Sequence, residues 1–195
     1  MQKKKILVLL GHSNWDTMCG YLATRYEEAA REAGHEVKRV NIGELQFDPI
    51  LHKGYKEIQA LEPDLLQLQN DFKWANHITV VYPNWWSTMP ALLKGLLDRM
   101  FLPGFAFRMR KGSLLGLWDK LLKGRTGRII VTMDNPPLLD RLFMGDFTHD
   151  IRKGVFWFSG IWPPRVTYIG NIKKLTPEGR TKAGDTVAKL AKKGI

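Results

Sequence analysis

The sequence predicts a doubly wound α/β fold: one domain over residues 1–195, with five parallel strands in the order 2-1-3-4-5 and helices on both faces of the sheet. Three observations predict it. Short apolar runs of strand character alternate along the chain with longer segments of helical periodicity. The first two runs, residues 5–10 and 35–42, flank a single helical segment, which makes them a parallel pair joined by a right-handed crossover. Residues 78–107 repeat the pattern as strand, aromatic loop and helix. In such a sheet ligands bind outside the carboxyl ends of the strands, where the strand order reverses, here between the first and third strands.

Residues 5–10, KILVLL, form a near-continuous apolar run and belong at the centre of the sheet. Residues 11–17, GHSNWDT, are polar and turn-forming. A helix then runs to about Ala33 with Met18, Leu22, Tyr26, Ala29 and Ala30 on one face. Asp16 or Thr17 caps its start, and Gly34 ends it as a C′ glycine. The alternation of EVKRVNI makes residues 35–42 the second strand. Residues 43–61 are an irregular connection. Pro63 opens a helix that ends near Ala75, with Leu65, Leu66, Leu68 and Phe72 on its apolar side.

Residues 78–81, ITVV, are the third strand. Tyr82-Pro83-Asn84 breaks it, and Trp85 and Trp86 occupy the loop beyond. Ser87 and Thr88 offer N-cap oxygens, and Pro90 falls in the first turn of a helix carrying Leu92, Leu93, Leu96, Leu97 and Met100. The long aromatic and basic stretch 101–125 is expected to hold a short helix at 115–122. Residues 128–132 are the fourth strand, 133–144 a second ligand-facing loop, and 146–158 a helix. Residues 165–169 are the fifth strand, and Thr176 caps a last helix with Val187 and Leu190 inward.

Composition narrows the class. At 44% hydrophobic and 25% charged residues the chain can fold around a sizeable core. The single cysteine, Cys19, excludes a disulfide framework and implies a reducing compartment. No apolar run approaches the ~20 residues of a membrane span, and the first residues lack the apolar stretch and cleavage site of a signal peptide. A cytoplasmic protein without membrane insertion is expected. The net charge of +11 invites nucleic acid, but Lys and Arg are scattered, with modest clusters at residues 3–5, 108–111, 173–174 and 192–193. No helix interleaves Arg with base-stacking aromatics, so the charge is a solvated face and no nucleic-acid partner is expected.

Two stretches carry candidate chemistry. The loop before the first helix offers free N–H groups, the positive end of the helix dipole and the hydroxyls of Ser13 and Thr17 to a phosphate. It is neither a dinucleotide fingerprint, having only Gly11, nor a Walker loop. A capped helix after a strand is also simply common in α/β proteins. Trp85 and Trp86 stand where a planar ring could pack, though large aromatics also serve as core or interface anchors. No metal site is expected.

Beyond these readings, the chain resembles the flavodoxin-like NAD(P)H dehydrogenase (quinone) family over nearly its whole length. The resemblance rests on Gly11-His12-Ser13, Phe47-Asp48-Pro49-Ile50 and Pro63-Asp64. Its most specific part is PNWWSTMPALLKG at 83–95, followed by Asp98-Arg99 and Gly104-Phe105-Ala106. The family's usual Ser-Phe-Asn is Thr17-Met18-Cys19 here. The resemblance implies a non-covalent flavin, FMN or FAD, with a slight preference for FMN. Its phosphate would lie on His12, Thr17, Met18 and Cys19. Its ring would lie along Pro83, Asn84, Trp85, Trp86 and Ser87, with Met133, Asp134, Asn135 and Pro136 beyond.

The implied reaction takes a hydride from NADH or NADPH to the flavin, releases NAD(P)⁺, and then passes two electrons to a quinone-like acceptor in the same pocket. A homodimer with the site at its interface is implied as well. Mammalian members assist hydride transfer with a Tyr and a His, whose positions fall near Leu138 and Met144, and neither of these can transfer a proton. Arg141 and His149 are the nearest substitutes in sequence. Cys19 as a redox group is disfavoured, because a free cysteine more often packs as a small hydrophobe. Two alternatives share the fold: a flavodoxin-type electron carrier, against which the basic charge argues, and a non-catalytic regulatory subunit.

Overall fold

The computed structural model describes residues 2–110, 112 and 115–195. Met1, and Lys111 at the end of the 108–111 basic cluster, lie outside the described residues. Strands β1 (Lys5–Leu10), β2 (Glu36–Asn41), β3 (His77–Pro83), β6 (Arg125–Thr132) and β7 (Ile161–Ile169) form one parallel sheet in the order β2-β1-β3-β6-β7. A short antiparallel hairpin, β4 (Phe107–Met109) and β5 (Trp118–Lys120), stands apart from it. The expected order 2-1-3-4-5 is therefore the observed one once the hairpin strands enter the numbering.

The period-2 alternation of the strands sends side chains to two cores. On one face Ile6, Val8, Leu10, Val81 and Ile130 pack with Leu22, Tyr26 and Ala30 of α1 (Met18–Glu32) and with Val187 and Ala191 of α5 (Pro177–Lys192). On the other Leu7, Leu9, Val80 and Ile129 pack with Leu68 and Phe72 of α2 (Pro63–Trp74) and with Leu93 and Leu96 of α3 (Ala91–Met100). Each such side chain, fully buried, contributes about 1.5–3 kcal/mol. Thr17 caps α1 by accepting the Gly20 N–H at 3.2 Å, and Gly34 follows the helix at φ +83°. No helix among the described residues is long and apolar enough to cross a membrane.

Four local expectations are corrected. The helix expected at 115–122 is absent; Gly116 turns the chain at φ +62° and β5 follows. Trp118 decides this, stacking on Phe158 at 4.4 Å and donating its indole N–H to the Phe158 carbonyl, so tertiary packing overrides the local leucines. The loop expected over 133–144 contains a helix, α4 (Pro137–Met144), which buries none of its residues and so has no inward face to announce it. Ser87 and Thr88 do not cap α3, whose N-cap is Pro90 without a side-chain bond. The helix expected from 146 to 158 is largely a π-helix, Asp150–Trp157, preceded by a turn in which the Asp146 carboxylate accepts both the N–H and the hydroxyl of Thr148.

Candidate functional site

At the carboxyl edge of the sheet the loops after β1, β3 and β6 meet. A cavity of about 380 Å³ lies between them, lined by His12, Thr17, Met18, Cys19, Pro83, Asn84 and Trp85 on one side and Thr132, Met133 and Asp134 on the other. A second cavity of about 420 Å³ shares Asn84, Met133 and Asp134 with the first and adds Trp86, Ser87, Asn135, Asp140, Phe143 and Met144. The two make one trough, and it collects every residue named above for the cofactor except Pro136. That proline lines neither cavity and is instead the N-cap of α4.

The closed end of the trough is the start of α1. Trp15 O accepts the Thr17 N–H at 2.9 Å, and Asn14 Oδ1 accepts the Asp16 N–H at 2.9 Å, which curls the loop tightly before the helix. Two glycines permit the curl. A Cβ on Gly20 would lie 1.8 Å from Trp15 O, and one on Gly43 would lie 2.0 Å from Ser13 O. Thr17 Oγ1 satisfies the Gly20 N–H, and Met18 and Cys19, which line the cavity, have first-turn N–H groups without intrahelical acceptors. The Thr17 hydroxyl proton has only a long contact, 3.4 Å to Asn14 O.

His12 stands beside this corner. The Asn14 N–H donates to its Nδ1 at 2.9 Å, so the ring proton belongs on Nε2, and burial holds its pKa below the ordinary value. Its ring meets Trp85 edge-on at 5.2 Å. The Cys19 side chain is buried under this corner. It is 2% exposed, sits 3.1 Å from Thr132 Oγ1, and burial pushes its thiol up to about 12, so it offers the trough its backbone N–H and no thiolate.

The tryptophan loop is a tight turn. Trp85 and Thr88 exchange backbone hydrogen bonds at 3.0 and 3.1 Å, and the two residues between them, Trp86 and Ser87, are both left-handed at φ 51° and 60°. Non-glycine residues held there store strain, which persists only where the surroundings impose it and which gathers at ligand sites. Here Thr88 anchors the turn by donating its hydroxyl to Asp150 at 2.6 Å. Trp85 is 45% and Trp86 97% exposed, so neither is a core anchor. In the floor, Asn84 is fixed by its N–H to Thr132 O at 2.7 Å, while its buried Oδ1 has no partner.

The opposite wall adds residues the sequence did not single out. Asn171, left-handed at φ 58°, turns the chain after β7, and Ile172 N–H donates to Met133 O at 3.2 Å. This brings Ile172 and Lys173 into the first cavity, where Lys173 pairs with Asp134 at 2.6 Å. The loop after the fifth strand leaves the same edge as the others, so the topology carried the signal; the 173–174 pair was read only as solvated charge.

The weaker candidates are not assembled. Leu138 is 79% exposed and lines neither cavity. Arg141 lies over the Tyr168 ring at 5.6 Å, and His149 is exposed outside the trough. Met144 does line the second cavity. Among the described residues lining the trough, His12 is the one imidazole and none is a tyrosine.

A sequence profile of the flavodoxin-like fold matches residues 4–192. The chain is similar to a Haemophilus influenzae protein named as an uncharacterized NAD(P)H oxidoreductase, being 31% identical over 182 residues that cover 89% of this chain and 87% of that one. The structure is similar to that of Smu.1420 from Streptococcus mutans UA159, with 25% identity and a TM-score of 0.80 over 97% of this chain and 99% of that one. It is also similar to an FMN-dependent NADH-azoreductase from Bacillus anthracis in complex with FMN, with a TM-score of 0.74 over 97% and 98% of the two chains. At 19% identity that last likeness is one of fold. The profile match over almost the whole chain and the Haemophilus relative together make this protein a member of the flavodoxin-like NAD(P)H oxidoreductase family.

Proposed function

We propose that the protein is a single-domain, cytoplasmic flavin oxidoreductase that passes two electrons from NADH or NADPH to a quinone-like small acceptor, with FMN in preference to FAD as its cofactor. One observation carries the reading. Two adjoining cavities that share Asn84, Met133 and Asp134 reach from the start of α1 to the tryptophan turn, over a floor with an unpartnered amide oxygen, Asn84 Oδ1. The fit is specific at each part. The N–H groups of Met18 and Cys19, the Thr17 hydroxyl and the His12 Nε2–H suit a phosphate. Asn84 Oδ1 suits an N–H of a planar ring lying along Pro83 to Ser87, with Met133, Asp134 and Asn135 opposite. The FMN bound by the azoreductase of the same fold supports the choice of cofactor.

A bound flavin would supply the hydride relay between NAD(P)H and the acceptor. The chain itself contributes position and polarity. The strained turn at Trp86 and Ser87 holds the tryptophans at the rim, where their faces exclude water from one side of the ring site. Among the described residues lining the acceptor end none is a tyrosine or histidine, which leaves water and the Asp134 and Asp140 carboxyls as the routes for a proton to a reduced acceptor. Acceptors needing little proton transfer, such as ferricyanide, then turn over faster relative to quinones than in relatives with a positioned acid, since general acid catalysis contributes about 10²–10⁴-fold.

The exposed apolar rim supports a homodimer over the acceptor end. Trp86 and Phe143, which line the second cavity, and Leu138 and Leu142 of α4 are each more than two-thirds exposed.

The test is the absorption spectrum of the purified protein, with chromatography of the cofactor released on denaturation. A yellow protein releasing FMN is expected. A colourless protein that takes up neither FMN nor FAD at micromolar concentration overturns the proposal.

A further inference from the structure

The opposite end of the sheet carries a second concave site. His77 and Pro83 are the two ends of β3, roughly 20 Å apart at the strand rise. At the His77 end a cavity of about 120 Å³ is lined by Lys4, His77, Thr126 and Arg165, with Gly127, Pro163 and Ile195 completing its wall.

Strand register concentrates positive charge here. His77 pairs with Ile6 across β1 and with Thr126 across β6, and Arg128 pairs with Arg165 across β7, which puts these residues on the sheet face covered by α1 and α5. Lys4, Arg128, Arg165 and His35 all act on the His77 ring with the same sign. Elsewhere Lys38 pairs with Asp71, Arg39 with Glu27 and Arg99 with Glu62, while the half-buried Lys120 and Arg125 donate to backbone carbonyls. Among the described residues none of Lys4, His35, His77, Arg128 or Arg165 is in an ion pair.

The polar atoms point the same way. His77 is 1% exposed; its Nδ1 lies 2.6 Å from Thr126 Oγ1, and its Nε2 has no partner. Arg128 is 5% exposed and donates one terminal N–H to Thr167 Oγ1 at 3.0 Å, while its Nε is also without a partner. Buried donors left unmade are costly and rare. Water can satisfy a lone N–H, but it offsets none of the charge.

We propose that this cavity is a binding site for one free tetrahedral oxyanion of phosphate size, held by the Lys4 ammonium and the Arg165 guanidinium at its mouth and by the His77 Nε2–H inside. An anion at Nε2 selects the neutral His77 tautomer in which the Thr126 hydroxyl donates into Nδ1 and Nε2 carries the proton. Arg128 supports the anion by charge from behind the ring. The volume excludes a nucleotide, since sites for such ligands run to about 300–1,000 Å³. The site lies apart from the trough and rests on nothing proposed for it.

The test titrates the full chain with inorganic phosphate, sulfate, acetate and glycerol phosphate at constant ionic strength, by calorimetry and by the ring NMR signals of His77. Saturable one-to-one phosphate binding that moves those signals is expected, with acetate and glycerol phosphate weaker. Arg165 is exposed, so Arg165→Gln leaves the fold intact, and it should weaken phosphate by about tenfold or more. Lys4→Gln should do likewise. The proposal is overturned by an absence of saturable phosphate binding near the physiological ~0.15 M ionic strength. It is equally overturned by Arg165→Gln and Lys4→Gln binding as the parent does, or by acetate or the ester matching phosphate.

Discussion

Thr88 and Asp150, far apart in sequence, are joined by a hydrogen bond of 2.6 Å that ties the tryptophan turn to the π-helix. The bond is charge-assisted but solvent-accessible, so it is worth about 1 kcal/mol. Asp150→Ala should lower the unfolding free energy by about that amount, read by urea denaturation. Flavin affinity should fall several-fold with it, because the left-handed Trp86 and Ser87 lose their anchor. Unchanged affinity would show that the turn holds its shape without Asp150.

Thr17→Ala separates a cap from a ligand contact. Loss of the cap bond to Gly20 costs about 1 kcal/mol of stability. A hydroxyl bond to phosphate is worth ~1.5–3 kcal/mol, or roughly tenfold or more in affinity. Fluorescence titration with FMN should therefore show a larger loss than denaturation does. Equal FMN affinity in parent and variant would remove Thr17 from the phosphate corner.

The bare helix α4 gives a test of assembly. Leu142 and Phe143 are 74% and 78% exposed, so Leu142→Glu with Phe143→Ser leaves the packed core of the monomer untouched. Sedimentation of the parent should give a dimer at tens of micromolar, and the double variant a monomer of unchanged circular dichroism. A parent that is monomeric at that concentration rules out the dimer.

His77 sets a pH dependence. Burial, then the charges of Lys4, Arg128, Arg165 and His35, depress its pKa from the ordinary 6.5 to about 3. A histidine depressed in the folded state binds its proton more readily when unfolded. Stability is therefore full above about pH 6.5 and declines as pH falls toward 3, by up to about 1.4 kcal/mol per pH unit. Denaturation in phosphate-free buffer from pH 7 down to 5 should show that slope, and His77→Gln should flatten it. Identical slopes in the two proteins would mean that other groups take up the proton.

If one trough serves donor and acceptor in turn, double-reciprocal plots against NADH and a quinone should be parallel. Intersecting lines would reject that sharing.

Most of the architecture was legible because it rests on periodicity. The buried central strands β1, β3 and β6 and the α1, α2 and α5 helices each follow from apolar residues facing one of two cores, and the half-buried edge strand β2 follows from its alternation. Elements stabilised by distant contacts were not legible. Trp118 becomes a strand residue through Phe158, about forty positions on, and no local pattern encodes that stacking. Residues of α4 bury nothing, so the rule that links helices to a buried stripe is silent there. At the site, Thr17 and the 83–87 loop were legible from strand ends and helix starts, while His12 was named only through the family resemblance. Lys173 was not, because its place depends on the left-handed Asn171 directing the chain back onto Met133.

Cys19 lies at the α1 end of the trough with a thiol that burial keeps protonated to about pH 12, and it is the only sulfhydryl in the sequence. Alkylating reagents attack the thiolate, so the closed protein is inert to them and modification proceeds only through molecules in which α1 has parted from Thr132. The pace of labelling thus counts openings of that corner directly, one adduct per chain. A ligand seated there would lengthen the interval between openings in proportion to its occupancy, so mass spectrometry of a single adduct can measure binding in a protein that carries no other reactive sulfhydryl.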